Sequence, residues 1–370
     1  MIILAALIGW LAWPCHFLPL AVIVPALIKR SPSRTTAALA ALAYYLAASV
    51  GVVHGAAVFF GQGRGSTIKG IVLWLGAAAI NALPWAALWH RNSFLRTRTA
   101  LALIILSVPP FGLVGWASPL TAAGELFPGF GLAGLALTFF LIVAVVDIEV
   151  TSVAILLLAS LAANYNFIDP SAGAQAINTH FGGVASGGRD FFADYKRNLA
   201  AISLASKSKA SITVLPETIA GTWTNATSAL WKPVAVHSSG IIAVGAERLL
   251  PRNGYENGMV LMCRHGYRFF PQRVPVPVSM WRPWADNGAK ADWLGSGVTQ
   301  FDGHRIGYLI CYEQLLVWPA MVTAYHHPDL VVGMANDWWA RGTSAPGIQR
   351  MSMNAWSRLF GWTMADAVNL

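Results

Sequence analysis

The chain has 370 residues, enough for two domains, and combines 56% hydrophobic and 11% charged residues with a mean hydropathy of +0.54. Ordinary soluble domains are roughly a quarter charged, so the composition argues against a wholly soluble protein and for membrane association. A net charge of +9 raises the question of a nucleic-acid partner, but the basic residues form no stripe interleaved with aromatics, and no direct nucleic-acid binding is expected.

Charged residues are sparse before Tyr165 and return, with Asn, Gly and Pro, after Asp169. The expected division is therefore a transmembrane anchor over 1–165 and a second, catalytic domain over 172–370. Apolar runs fall at 2–28, 36–60, 70–89, 99–117, 130–146 and 151–165. A spanning helix needs about 20 such residues, so an α-helical polytopic membrane domain of five to seven spans is expected. Trp13, Pro14 and His16 interrupt the first run, which suits a short re-entrant pair. A cleaved signal peptide is the weaker reading, since a basic leader is missing and further apolar runs follow. Lys29, Arg30, Arg34, Arg91, Arg96 and Arg98 occupy short connections that the positive-inside bias assigns to the cytoplasm, against Arg64 and Lys69 on the other side. A last crossing over 151–165 then puts everything after Asn166 outside. In a Gram-negative host this is a multi-pass protein of the bacterial inner membrane, with its C-terminal domain in the periplasm.

From about Gly173 strand-like runs alternate with amphipathic helices, the pattern of an α/β domain. The run from Phe191 to Ser206 carries Phe192, Tyr195, Leu199 and Ile202 at helical spacing. Strands are predicted over 212–215, 305–310 and 329–334, leading into Pro216-Glu217-Thr218, Cys311-Tyr312-Glu313 and Asn336-Asp337-Trp338. Three polar or reactive groups thus follow the carboxyl ends of apolar strands, where α/β folds collect their chemistry. A thiol nucleophile needs a base and donors for the oxyanion it creates. Glu217 can be that base for Cys311, and the Cys-Tyr-Glu turn presents backbone N–H groups beside the sulfur. No Gly-x-Ser-x-Gly elbow is present, and the histidines form no evident pair with a cysteine.

Three cysteines are too few for a disulfide framework. Cys15 and Cys263 read as inert buried thiols. Cys263-x-His265 lacks a zinc-type partner pair, so neither metal nor cofactor is expected.

The blocks Leu215-Pro216-Glu217-Thr218, Ile310-Cys311-Tyr312-Glu313 and Asn336-Asp337-Trp338 resemble the nitrilase (carbon-nitrogen hydrolase) superfamily, most closely its membrane branch, the apolipoprotein N-acyltransferases. The segments Trp13 to Leu27 and Ser118 to Gly129 resemble the anchor of that branch. Pro275 to Trp281 is similar to a conjugal transfer family of rhizobial plasmids. The resemblance implies a four-layer α-β-β-α sandwich, Glu217 as base, Cys311 as nucleophile and a thioester intermediate. The family's stabilising Lys aligns with Gln272 and a trailing Glu with Met280. Arg273 is the nearest cation for the oxyanion, though a planar guanidinium is no simple substitute for an ammonium. Tyr312, Glu313, Trp281, Asn336 and Trp338 are the candidate substrate-binding residues. The chain also stops at Asn369-Leu370, where family members continue, so missing sandwich strands are expected. An acyltransferase or amidase acting on a membrane lipid or acylated substrate, beside conjugation proteins as possible partners, is one reading. A non-enzymatic membrane component of a conjugative plasmid transfer system is the other.

Overall fold

The computed structural model describes residues 1–61, 63–91, 94–168, 170, 173–183 and 191–370. Asp169, where the composition changes, and Ala172, where the second domain was expected to start, lie outside the described residues. The chain forms two compact units, Met1–Asp169 with Leu315–Ala324 and Gly342–Gly361, and Pro170–Gln314 with Tyr325–Arg341 and Trp362–Leu370.

The first unit carries α1 (Ile2–Ala12), α2 (Val24–Lys29), α3 (Arg34–Ala48), α4 (Gly51–Phe59), α5 (Arg64–Ala87), α6 (Leu95–Ser107), α7 (Ala123–Leu126), α8 (Gly131–Asp147) and α9 (Val150–Asn166). Several of its buried polar side chains bond to one another or to backbone. Trp13 Nε1 donates to Tyr44 Oη at 2.8 Å, and Tyr44 Oη donates in turn to the Ala117 carbonyl at 3.0 Å. The backbones of α1 and α3 pack closely, since a Cβ on Gly9 would come within 2.5 Å of the Tyr44 carbonyl. The basic connections gather together: Lys29 Nζ donates to Leu88 O at 2.9 Å, Arg30 Nε to Val146 O at 2.9 Å, and Arg96 pairs with both Asp147 and Glu149.

Among the described residues one helix, α5, is long and apolar enough to cross a membrane, and α3 with α4 makes a second candidate bent by 57°. The helix over 99–117 ends early, at Ser107, ahead of Pro109 and Pro110. The first run breaks at 13–17 between α1 and a short helical stretch that leads into α2. α5 and α9 nevertheless leave Ile68, Val72, Leu83, Ile155, Leu158 and Leu161 exposed, more apolar side chain than a water-facing helix usually shows. Cys15, expected to be buried, is exposed, because it sits in that 13–17 break rather than inside a helix.

The second unit is built on two mixed sheets. In the first, β1 (Ala174–Ala176), β2 (Ile212–Val214) and β3 (Ile241–Leu249) run parallel, and β4 (Tyr255–Cys263) and β5 (Gly266–Pro271) follow antiparallel. In the second, β6 (Val298–Phe301) pairs antiparallel with β7 (His304–Ile310), and β7, β8 (Leu330–Asn336) and β9 (Met364–Asn369) run parallel. Every residue of β8 is buried, as its unbroken Leu-Val-Val-Gly-Met-Ala run requires of a central parallel strand. Ile212, Val214, Ala243, Met259 and Leu261 of the first sheet pack against Ile306, Tyr308, Ile310, Val332 and Met334 of the second.

On the outer face of the first sheet, α10 (Phe191–Ala205) and α11 (Asn225–His237) cover Ile242, Val244, Val260 and Met262. The expected nitrilase-like sandwich is thus present as α-β-β within this unit. Of the remaining helices, α12 (Val317–Tyr325) lies almost wholly, and α13 (Ala345–Phe360) wholly, in stretches that group with the first unit.

In the second sheet, β9 pairs with β8 from Met364 to Asn369. In α10 the buried face is Asn198, Ala201 and Ala205; of the apolar residues at helical spacing, Ile202 packs partly buried against the core, while Phe192, Tyr195 and Leu199 are exposed. Small residues let the helix lie close to the sheet, and Asn198 is held there by Trp231 Nε1, which donates to its Oδ1 at 2.7 Å.

Candidate active site

The parallel strands β2, β7 and β8 deliver their carboxyl ends to one place. Just beyond β2 the chain turns through Pro216-Glu217-Thr218, with Thr218 at φ 56°. Just beyond β7 it turns at Cys311, φ 51°, which opens a short 3₁₀ helix over Cys311–Leu315. Left-handed backbone at non-glycine residues costs of order 1–3 kcal/mol each and persists where the surroundings over-determine it. Both turns that carry the candidate chemistry bear such a residue.

The Glu217 carboxylate is 4% exposed and has three identified neighbours. Asn257 Nδ2 donates to Oε1 at 2.6 Å, the Asn336 backbone N–H donates to Oε2 at 3.0 Å, and the Cys311 thiol donates to the same carboxylate. Burial pushes its proton affinity up, against the pull of these hydrogen bonds, to a pKa of about 7. The Cys311 thiol is pushed well above its ordinary value by burial and by the charges of Glu217 and Asp337. A free thiolate is therefore disfavoured, and the proton must pass to Glu217 as the sulfur attacks. Close approach of Glu217 to β3 depends on Gly245, where a Cβ would lie 2.3 Å from Glu217 Cα.

The Cys311 turn is stapled from behind by Glu313, which is fully buried. Its Oε1 accepts from the N–H groups of Arg273 and Val274 at 2.6 and 2.9 Å, and its Oε2 accepts from Ile310 N–H at 3.0 Å. Glu313 is thus a structural clamp, and the expectation that it binds substrate is corrected, because its oxygens are spent on the backbone. Arg273 is corrected likewise. Its guanidinium pairs with Glu313 at 3.6 Å, donates to the Tyr308 carbonyl at 3.2 Å and lies over the Tyr308 ring. Gly297 makes room for it, since a Cβ there would come within 2.3 Å of Arg273 Cζ.

The preceding residue, Gln272, turns instead toward the Glu217 network. Its Oε1 accepts from Asn257 Nδ2 at 2.8 Å, and its Nε2 donates at 2.9 Å to the carbonyl of Ile310, the residue before Cys311. The two side chains diverge just past the end of β5, where the chain bends at Arg273.

Asn336 joins the site through its backbone and donates through Nδ2 to Thr218 Oγ1. Its Oδ1 accepts at 2.8 Å from Asn369 Nδ2, and Asn369 also binds Thr179 and the 181–182 backbone. Trp338, two residues on, is half-buried with its ring over Gly183. Tyr312 is half-buried beside Cys311, its hydroxyl held neutral by burial. Trp281 packs edge to face on Trp293 at 5.0 Å, in the loop after Gln272. Sequence reasoning missed Asn257 and Asn369, which lie inside a strand and at a strand end with no local motif to mark them.

Among solved structures, an amidase of the nitrilase superfamily from Nesterenkonia AN1 is 13% identical, with a TM-score of 0.40 over 55% of this chain and 79% of that one. A carbon-nitrogen hydrolase from Helicobacter pylori G27 is also 13% identical, with a TM-score of 0.34 over 44% of this chain and 59% of that one. No protein-family model matches the sequence. Curated relatives run the full length. A protein of Sinorhizobium fredii named "Probable conjugal transfer protein TraB" is 34% identical over 99% of this chain and 96% of its own length. The conjugal transfer protein TraB of Agrobacterium fabrum is 33% identical over 100% of this chain and 92% of its own. One third identity sustained end to end means that the chain belongs to the conjugal transfer protein TraB family.

Proposed function

We propose that the sheet unit is a cysteine-dependent acyltransferase or amidase of the carbon-nitrogen hydrolase type, serving conjugative plasmid transfer from the bacterial inner membrane. The observation that carries it is the Cys311 thiol donating to the buried Glu217 carboxylate, the two residues following β7 of one sheet and β2 of the other. In the reaction, Glu217 takes the thiol proton as sulfur bonds to the carbonyl carbon of an ester or amide. The Gln272 amide and the N–H groups of the Cys311 turn steady the oxyanion. The leaving alcohol or amine departs with the proton from Glu217, and the remaining thioester is released to water or to an amine acceptor.

The membrane reading rests on the apolar surface of α5 and α9 and on the shared location of the connections at Lys29, Arg30 and Arg96. These basic connections lie on the cytoplasmic side and the sheet unit in the periplasm. A membrane lipid or acylated substrate is the natural acyl donor for such a protein. One observation favours the alternative, a non-enzymatic membrane component: Gln272, a neutral amide, stands where the resemblance puts a Lys. Intact mass of the detergent-purified protein after incubation with phospholipid separates the two. An acyl-sized increase, removed by hydroxylamine and absent in Cys311→Ala, is expected. No adduct with phospholipids or simple amides refutes the enzyme.

A further inference from the structure

The two hairpin tips at the far end of β7 bring together three groups that chain position keeps apart. Cys263 ends β4, His265 is the second residue of the two-residue turn that joins it to β5, and Asp302 sits in the turn joining β6 to β7. His265 Nδ1 lies 3.9 Å from Cys263 Sγ and 3.1 Å from Asp302 Oδ1. All three donor atoms fall within 4.8 Å of one another. They face a cavity of about 260 Å³ whose wall also includes Gln300.

We propose that Cys263, His265 and Asp302 form a binding site for a divalent transition metal, zinc in the first instance. In sequence, Cys263-x-His265 has no partner pair nearby. The third donor is 37 residues away from His265 and belongs to the other sheet. One sulfur, one imidazole nitrogen and one carboxylate oxygen make a borderline donor set that suits Zn²⁺ rather than Mg²⁺ or Ca²⁺. Tetrahedral zinc at ordinary bond lengths sets its sulfur and nitrogen ligands about 3.6 Å apart and nitrogen and oxygen about 3.4 Å apart. The observed spacings differ from these by a few tenths of an ångström. The fourth position opens to the cavity, for water or the Gln300 amide.

A second reading of the same geometry is a plain His265 to Asp302 contact. The Cys263 sulfur, 6% exposed, also accepts from the His265 backbone N–H at 3.4 Å, so the turn itself holds sulfur, ring nitrogen and carboxylate together before any ion binds. On binding, the thiol gives up one proton to solvent, and thiolate and carboxylate together neutralise the ion. Arg264 donates to His265 Nε2 at 3.2 Å. For metal to take Nδ1, the ring proton moves to Nε2 and the exposed Arg264 swings away. The bound ion then ties the β4–β5 hairpin of one sheet to the β6–β7 hairpin of the other. The seven residues of β7, roughly 23 Å of strand, separate it from Cys311, so its role is structural and independent of the acyl-transfer chemistry.

The test uses the full-length protein in detergent with Cys15→Ser and Cys311→Ala, leaving Cys263 as the remaining thiol of the three. Titration with Co²⁺ is expected to give a thiolate-to-metal charge-transfer band that saturates at one equivalent and is displaced by Zn²⁺. Affinity should fall as pH is lowered, because metal binding displaces protons from its ligands. His265→Ala and Asp302→Asn should each weaken binding at least tenfold, and Cys263→Ser should abolish the band. The two exposed-ligand variants decide the matter if Cys263→Ser does not fold. Absence of a thiolate band, or a band of undiminished affinity in both His265→Ala and Asp302→Asn, overturns the site.

Discussion

Replacing Glu217 by Gln removes a carboxyl whose hold on its proton the fold has strengthened, and the effect should be read in how stability varies with pH. Burial raises its pKa from 4.5 to about 7. The folded state therefore binds the proton more tightly than the unfolded one. This contribution is full below pH 4.5 and is lost as pH rises toward 7. A shift of that size is worth about 3 kcal/mol, at 1.36 kcal/mol per unit. For a unit of this size it corresponds to roughly 6–12 °C in thermal midpoint. The assay is thermal unfolding of wild type and Glu217→Gln at pH 5 and pH 8, followed by tryptophan fluorescence. The wild type should lose several degrees more than the variant on going to pH 8. If both lose the same, Glu217 is not the desolvated carboxyl that the site requires.

Three further outcomes follow from the same contacts. Acyl transfer should rise with pH through about 7 as Glu217 ionises, and Asn257→Leu, which removes a hydrogen bond to the charged form, should move that limb up by about one to two pH units in a pH–rate profile. Glu313→Gln should destabilise the sheet unit by about 3–5 kcal/mol in denaturant titration, because it strands the buried Arg273 guanidinium and leaves backbone donors facing an amide. Gly245→Ala forces a methyl group against the Glu217 backbone; a loss of roughly 1–3 kcal/mol, with Cys311-dependent activity reduced, is expected, and unchanged melting and activity would show that the turn is looser than its packing indicates.

The pattern of residues by itself located Glu217 and Cys311, because an apolar strand followed by a polar group is a local signature and parallel strands expose their carboxyl ends. It also marked the change from an apolar first half to an α/β-patterned second half, since composition needs no tertiary contact, but it did not show that Leu315–Ala324 and Gly342–Gly361 group with the first unit. What only the tertiary structure decided was which side chains meet. Gln272 and Arg273 are adjacent in sequence, yet just past the end of β5 one turns to the Glu217 network and the other to Tyr308 and Glu313. Helical spacing of Phe192, Tyr195, Leu199 and Ile202 gave the helix but not its buried face, which close packing on the sheet set at Asn198, Ala201 and Ala205 with Ile202 beside them. Asn257, Asn369 and Asp302 carry no local signal, for their partners lie on other strands or at the tip of another hairpin. Hydrogen bonds and metal ligands act over a few ångströms in space, and only the fold converts distance along the chain into that proximity.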